Sequence, residues 1–133
     1  MKYLCFGHMA ETRWTEMSAA ERQTMMAACH AYDEELKHGG HFLRGEALQP
    51  ADSAVTVRWH NGEAVVTDGP YAETREQLGG LLLLEARDMN HAIQLISNHP
   101  GVRLCGPFEI RPLDEAFPEG FCDSMADTAI TNQ

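Results

Sequence analysis

Residues 67–80 read Thr67-Asp68-Gly69-Pro70-Tyr71-Ala72-Glu73-Thr74-Arg75-Glu76-Gln77-Leu78-Gly79-Gly80, and the segments on either side of them decide the fold. Upstream, Val55, Val57 and Trp59 alternate with Thr56, Arg58 and His60. That period of two predicts a strand with one apolar face. Asn61-Gly62 follows, a pair that tolerates positive φ and so closes a tight hairpin. Ala64 to Thr67 is the returning strand. Downstream, Gly79-Gly80 leads into Leu81-Leu82-Leu83-Leu84-Glu85-Ala86. A short apolar run bounded by glycine reads as a buried strand. Residues 68–77 are then a loop between hairpin and buried strand. Its turn has a mechanism: Asp68 accepts from nearby amides, while Gly69 and Pro70 set the backbone.

Working outward, Lys2 to His8 predicts a strand that is apolar on both faces, with Tyr3 and Cys5 on one and Leu4 and Phe6 on the other. Such a strand belongs in the middle of a sheet. Residues 7–17 read as a loop containing Trp14. Ser18-Ala19-Ala20-Glu21 is a capping box, which starts a helix running to about His38. Met25, Met26, Cys29, Tyr32 and Leu36 form its apolar stripe, and Gly39-Gly40 ends it. His41 to Leu48 is a further strand, closed by Pro50. Asp88 caps a second helix whose inner side carries Met89, Ala92, Ile93 and Ile96; His99-Pro100-Gly101 reads as its stop. Phe108 and Ile110 alternate with Glu109 and Arg111 in a last strand before Pro112.

With the hairpin set aside, the order is βαββαβ, the ferredoxin-like α+β arrangement with an inserted hairpin. Two helices on one face of an antiparallel sheet leave the other face bare. A second copy of the chain is the simplest cover, so a homodimer is expected. Residues 1–113 form the domain. Residues 114–133 are an acidic extension in which Phe117 and Phe121 are the anchors expected to dock.

The 133 residues suit one domain, and a 44% hydrophobic content is enough for one core. The formal net charge of -10, with basic residues scattered singly, argues against a groove that tracks phosphates and so against nucleic acid. The longest aliphatic run is Leu81–Leu84, far short of the roughly 20 residues of a membrane span. Met1-Lys2-Tyr3-Leu4 is not followed by an apolar stretch with a small-residue cleavage site, which predicts a cytoplasmic protein. Cys5, Cys29, Cys105 and Cys122 contain no Cys-x-x-Cys pair. In that compartment they are expected to be reduced, the first three packing as small hydrophobes.

Asp68 to Glu76 closely resembles the motif of the DGPF-type proteins of the YCII-related group, with Tyr71 in place of the usual phenylalanine and Arg75 in place of lysine. The resemblance extends over roughly Met1 to Leu113, including Gly45-Glu46-Ala47-Leu48-Gln49-Pro50 and Glu109-Ile110-Arg111-Pro112. It implies a ferredoxin-like fold of the dimeric α/β barrel type. It also implies one of two roles: an enzyme with a His–Asp pair in a cleft, or a regulatory module linked to an extracytoplasmic-function sigma factor. Where the resemblance would put the aspartate of that pair, the chain has His99. Where it would put the histidine, the chain has Cys29 with His30 beside it. The pair is therefore not expected here.

The chemical candidates fall in two places. Asp68, Tyr71, Glu73, Arg75 and Glu76 carry carboxylates, a phenol and a guanidinium on one short loop. Such groups bind a small polar ligand, and a carboxylate such as Asp68 can do acid–base work. The same residues also suit a purely architectural turn, with Glu73 and Arg75 paired on the surface. The second place is His30, with Asp33 and Glu34 three and four residues on; a carboxylate there can orient the imidazole as a catalytic base. His38 and His41 are interrupted by Gly39-Gly40 and lack a third clustered ligand, so no metal site is expected. Gly79-Gly80 lacks the rest of any phosphate-binding motif, and no cofactor is expected.

Overall fold

The computed structural model describes residues 1–116. In chain order the elements are β1 (Lys2–Ala10), α1 (Glu11–Glu16), α2 (Ala19–His38), β2 (Phe42–Ala47), a 3-10 turn (Ala51–Ser53), β3 (Val55–His60), β4 (Glu63–Asp68), β5 (Glu76–Glu85), α3 (Met89–Ser97), α4 (Pro100–Leu104) and β6 (Phe108–Pro112). The main sheet has the order β2-β5-β1-β6, and every neighbouring pair is antiparallel. This is the expected ferredoxin-like α+β order, with β3 and β4 forming a separate two-stranded ribbon.

The period of two in β1 and β5 sorts the side chains onto two faces. Tyr3, Cys5, Leu82 and Leu84 are buried on one of them. They form the core with Leu36 of α2 and with Ala92 and Ile96 of α3. Burying a side chain of leucine size stabilises by about 2 kcal/mol, so these few positions carry much of the fold. Leu4, Phe6, Leu81 and Leu83 lie on the face opposite α2 and α3 and are only partly buried. On either side of that apolar strip the edge strands carry ion pairs, Arg44 with Glu46 at 3.0 Å and Arg111 with Glu109 at 3.2 Å.

The helices α2 and α3 start where expected. The Ser18 hydroxyl accepts from the Glu21 amide at 3.1 Å, and the Glu21 carboxylate accepts from the Ser18 amide in return. Asp88 accepts from the His91 amide at 2.8 Å. Asn61 and Gly62, both at positive φ, turn the β3–β4 ribbon.

Several boundaries differ from expectation. The span 7–17 is not a loop: β1 continues to Ala10 because Met9 and Ala10 pair with Gln77 and Glu76, and α1 follows at once. The span 68–77 is shorter than a full loop, since Asp68 pairs with Val55 and Glu76 with Ala10. His99-Pro100-Gly101 does not merely stop a helix. It opens α4, with His99 as N-cap and Pro100 in the first turn, where a missing amide costs nothing. Met26 is 59% exposed and lies outside the core stripe. Cys29 and Cys105 are half-buried, whereas Cys5 is fully enclosed. Phe117 and Phe121 fall outside the described residues.

Candidate active site

The mid-part of α2 turns Met25, Cys29 and Asp33 toward α4, because residues four apart share a helix face. Opposite them stand His99 at the start of α4 and Cys105 at its end. Asp33 Oδ1 and His99 Nε2 are 2.9 Å apart. His99 is only 7% exposed, while the Asp33 side chain keeps 30% of its surface open. The imidazole is wedged edge-on against Tyr32, ring centroids 5.3 Å apart, and lies tilted against Phe108 at 5.4 Å. Tyr32 is itself fixed, donating its hydroxyl to the Leu95 carbonyl at 2.5 Å.

The tautomer follows from the backbone. The Gly101 amide donates to His99 Nδ1 at 2.9 Å, so Nδ1 is the acceptor nitrogen. A neutral imidazole then carries its proton on Nε2 and donates it to Asp33. Both ring nitrogens are thereby occupied. His99 is placed to orient Asp33, and the second carboxylate oxygen of Asp33 has no other hydrogen bond among the described residues. The group in this pair free to meet a ligand is the carboxylate.

The pair that the sequence did not lead us to expect is therefore present, built from other residues. Asp33 does not serve His30. His30 lies outward, its side chain 75% exposed and 4.0 Å from Glu34. It borders an open groove of about 590 Å³ lined also by Trp14, Arg22, Gln23 and Met26, with the Arg22 guanidinium 4.9 Å over the Trp14 ring. None of the motif residues borders that groove.

The motif loop is held from within. The Gly69 amide donates to the Ala54 carbonyl at 2.8 Å, and Thr56 donates to the Gly69 carbonyl at 2.9 Å. Gln77 donates to the carbonyls of Ala72 and Thr74 at 3.0 and 2.9 Å. Asp68, Glu73 and Arg75 are exposed. So is Tyr71, at 81%, with the Arg58 guanidinium 5.5 Å above its ring. Glu76 is exposed too, but it has a neighbour outside the loop. Its carboxylate reaches the turn after α4, where a side chain on Gly106 would have to fit between the His8 carbonyl and Glu76 Oε2. One residue of the motif thus approaches the end of the α2–α4 seam. Among the described residues no group of three or more His, Cys, Asp or Glu converges as a metal site, and no helix is long and apolar enough to cross a membrane.

Fold and site together define a ferredoxin-like α+β domain with a buried histidine bound to a half-open carboxylate between two helices. Residues 1–116 match the family model of the YCII-related domain, and the chain belongs to that family. It is 32% identical over 114 residues to an uncharacterised protein, R00369, of Rhizobium meliloti (strain 1021), a match covering 83% of this chain and 88% of the relative. Among solved structures it is similar to 5-chloro-2-hydroxyhydroquinone dehydrochlorinase (TftG) from Burkholderia phenoliruptrix AC1100, in complex with 2,5-dihydroxybenzoquinone. That likeness has a TM-score of 0.48 at 17% identity and covers 86% of this chain and 94% of the other.

Proposed function

We propose that the protein binds a small polar molecule in the α2–α4 seam beside Asp33 and exchanges a proton with it through that carboxylate. The observation that carries this reading is the state of His99: buried, both ring nitrogens engaged, its Nε2 proton directed at a carboxylate that remains partly open. A carboxylate held in one orientation by a buried donor is suited to general acid–base work. Glu76 puts a second carboxylate at the opposite end of the seam, by Gly106.

The test is a thermal-shift screen against polar metabolites with the native chain and Asp33→Asn. Asparagine keeps an acceptor for His99 and removes the ionisable group. A ligand at 100 times its dissociation constant stabilises by about 2.7 kcal/mol, enough for a shift of several degrees. A ligand that shifts the native chain and fails to shift the variant supports the reading. A ligand that shifts both equally, and is displaced instead by Asp68→Ala, puts the site on the outer loop.

A second reading concerns assembly. The sheet face opposite α2 and α3, an apolar strip of Leu4, Phe6, Leu81 and Leu83 between two ion-paired edges, has the make-up of an interface core with a polar rim. It favours a homodimer formed through this face. Light scattering at micromolar concentration decides it: a mass of one 14.8 kDa chain ends the proposal.

A further inference from the structure

The β3–β4 ribbon has two unlike faces. Residues directly opposite in an antiparallel pair share a face, so Val57–Val66 and Trp59–Ala64 stand on one side together with Val55. Thr56–Thr67, Arg58–Val65 and His60–Glu63 stand on the other. The chain folds its own motif loop over that second, more polar side. Thr56 donates to the Gly69 carbonyl at 2.9 Å, and the Arg58 guanidinium lies 5.5 Å over the Tyr71 ring. The apolar side is left open: Val55, Val57, Trp59 and Val66 are 60% to 76% exposed. A lone two-stranded ribbon is marginally stable at best in water and needs a further layer against its apolar side. Among the described residues nothing supplies that layer.

We propose that the ribbon is an arm whose apolar side, anchored by Trp59, closes on a second copy of the chain. The inference rests on the homodimer of the preceding reading and deepens it. Area favours a second copy as the occupant. Leu4, Phe6, Leu81 and Leu83 are already partly buried within their own chain. Their strip therefore leaves only a fraction of the roughly 800 Å² that a stable interface takes from each partner. The arm adds four large apolar side chains that are mostly open, one of them a tryptophan, the residue type that most often dominates an interface.

Charge selects the same surface. Each copy carries a formal charge of -10, so two copies repel one another unless they meet where acids are absent. Neither the sheet strip nor the set Val55, Val57, Trp59, Ala64 and Val66 contains a charged residue. One arm and one strip on each copy also satisfy each other reciprocally about a two-fold axis, which closes the assembly at two chains. The motif loop then has a mechanical part in it, holding the arm from its polar side while the apolar side engages the partner.

The experiment uses the full chain with Trp14→Phe, which leaves Trp59 as its single tryptophan. Light-scattering mass and Trp59 emission are read together as the protein is diluted from high micromolar to nanomolar concentration. A dimer is expected in which Trp59 emits to the blue and resists quenching by acrylamide, both effects fading as the mass falls to one chain. In the otherwise native chain, Trp59→Ala should raise the dimer dissociation constant about a hundredfold, since two anchors are lost per dimer. Should Trp14→Phe fold poorly, that comparison still decides, and Leu81→Ser probes the sheet strip separately. A dimer in which Trp59 is freely quenched, and which Trp59→Ala does not weaken, overturns the inference and spares the sheet-face dimer. Weakening by Trp59→Ala with none by Leu81→Ser upholds the arm and ends the sheet-face reading. A single-chain mass at every concentration ends both, whether Trp59 is then open to a different partner or sheltered by its own chain.

Discussion

The Gly101 amide and His99 Nδ1, 2.9 Å apart, settle which end of the imidazole holds the proton, and so make Asp33 the accepting partner. Glycine is needed at this position for space. A Cβ on residue 101 would come within 3.0 Å of both His99 Nδ1 and the Phe108 ring. Gly101→Ala should therefore destabilise by about 1–3 kcal/mol, although alanine is the better helix former. A urea titration checks this; a gain in stability would show that the His99–Phe108 packing is slack.

His99 ties α4 to α2, and the aromatic rings around it close over the imidazole. His99→Ala leaves a cavity and an unmatched carboxylate, and should cost about 2–4 kcal/mol. Asp33→Asn keeps the hydrogen bond and should cost less than about 1 kcal/mol. Equal losses for the two variants, measured by chemical denaturation, would mean that the charge on Asp33 is itself holding the helices together.

Within the motif the structure separates backbone from side chain. Gly69 has φ of +104° and is bonded to the ribbon through both its amide and its carbonyl. Gly69→Ala should cost about 1–3 kcal/mol through backbone strain. Asp68 is exposed, and Asp68→Ala should stay within about 0.5 kcal/mol of the native chain. Thermal melts of the two variants test the contrast, and a large loss for Asp68→Ala would restore it as a turn cap.

Burial raises the Cys5 thiol to about 11 from its ordinary value of 9.0. Between those values the unfolded chain loses this proton while the fold keeps it, so stability falls as pH rises through the window. The full effect is on the order of 2 kcal/mol. Tyr3 is pushed up too, by burial first and then by the charges of Asp88 and Glu115, and acts in the same sense. Unfolding curves at about pH 8 and about pH 10.5 should converge in Cys5→Ala relative to the native chain. The same decrement in both proteins would assign the alkaline loss to other groups.

Local signals carried most of the fold. The Ser18 and Asp88 caps, the Asn61-Gly62 turn, the alternation in β3 and the short apolar runs of β1 and β5 each act within a few residues, and each lies in the element its pattern predicts. The site was less legible because its parts meet only by packing. Asp33 and His99 are 66 positions apart, and sequence alone pairs Asp33 with its neighbour His30. The usable clue was Pro100: proline in the first turn of a helix makes His99 an N-cap rather than the tail of α3. The extension of β1 to Ala10 was hidden for a similar reason, since it depends on cross-strand pairing with Glu76 and Gln77.

Among the described residues the β3–β4 ribbon pairs only with itself, and it turns Val55, Val57, Trp59 and Val66 outward, with Trp59 76% exposed. Its ladder therefore shares no strand-to-strand hydrogen bond with the sheet. Amide protons from Val55 to Asp68 are expected to exchange with deuterium through a local opening that leaves the sheet closed. Those of β1 and β5 should wait for global unfolding. Deuterium uptake would thus divide this domain into an early-opening arm and a late-opening body.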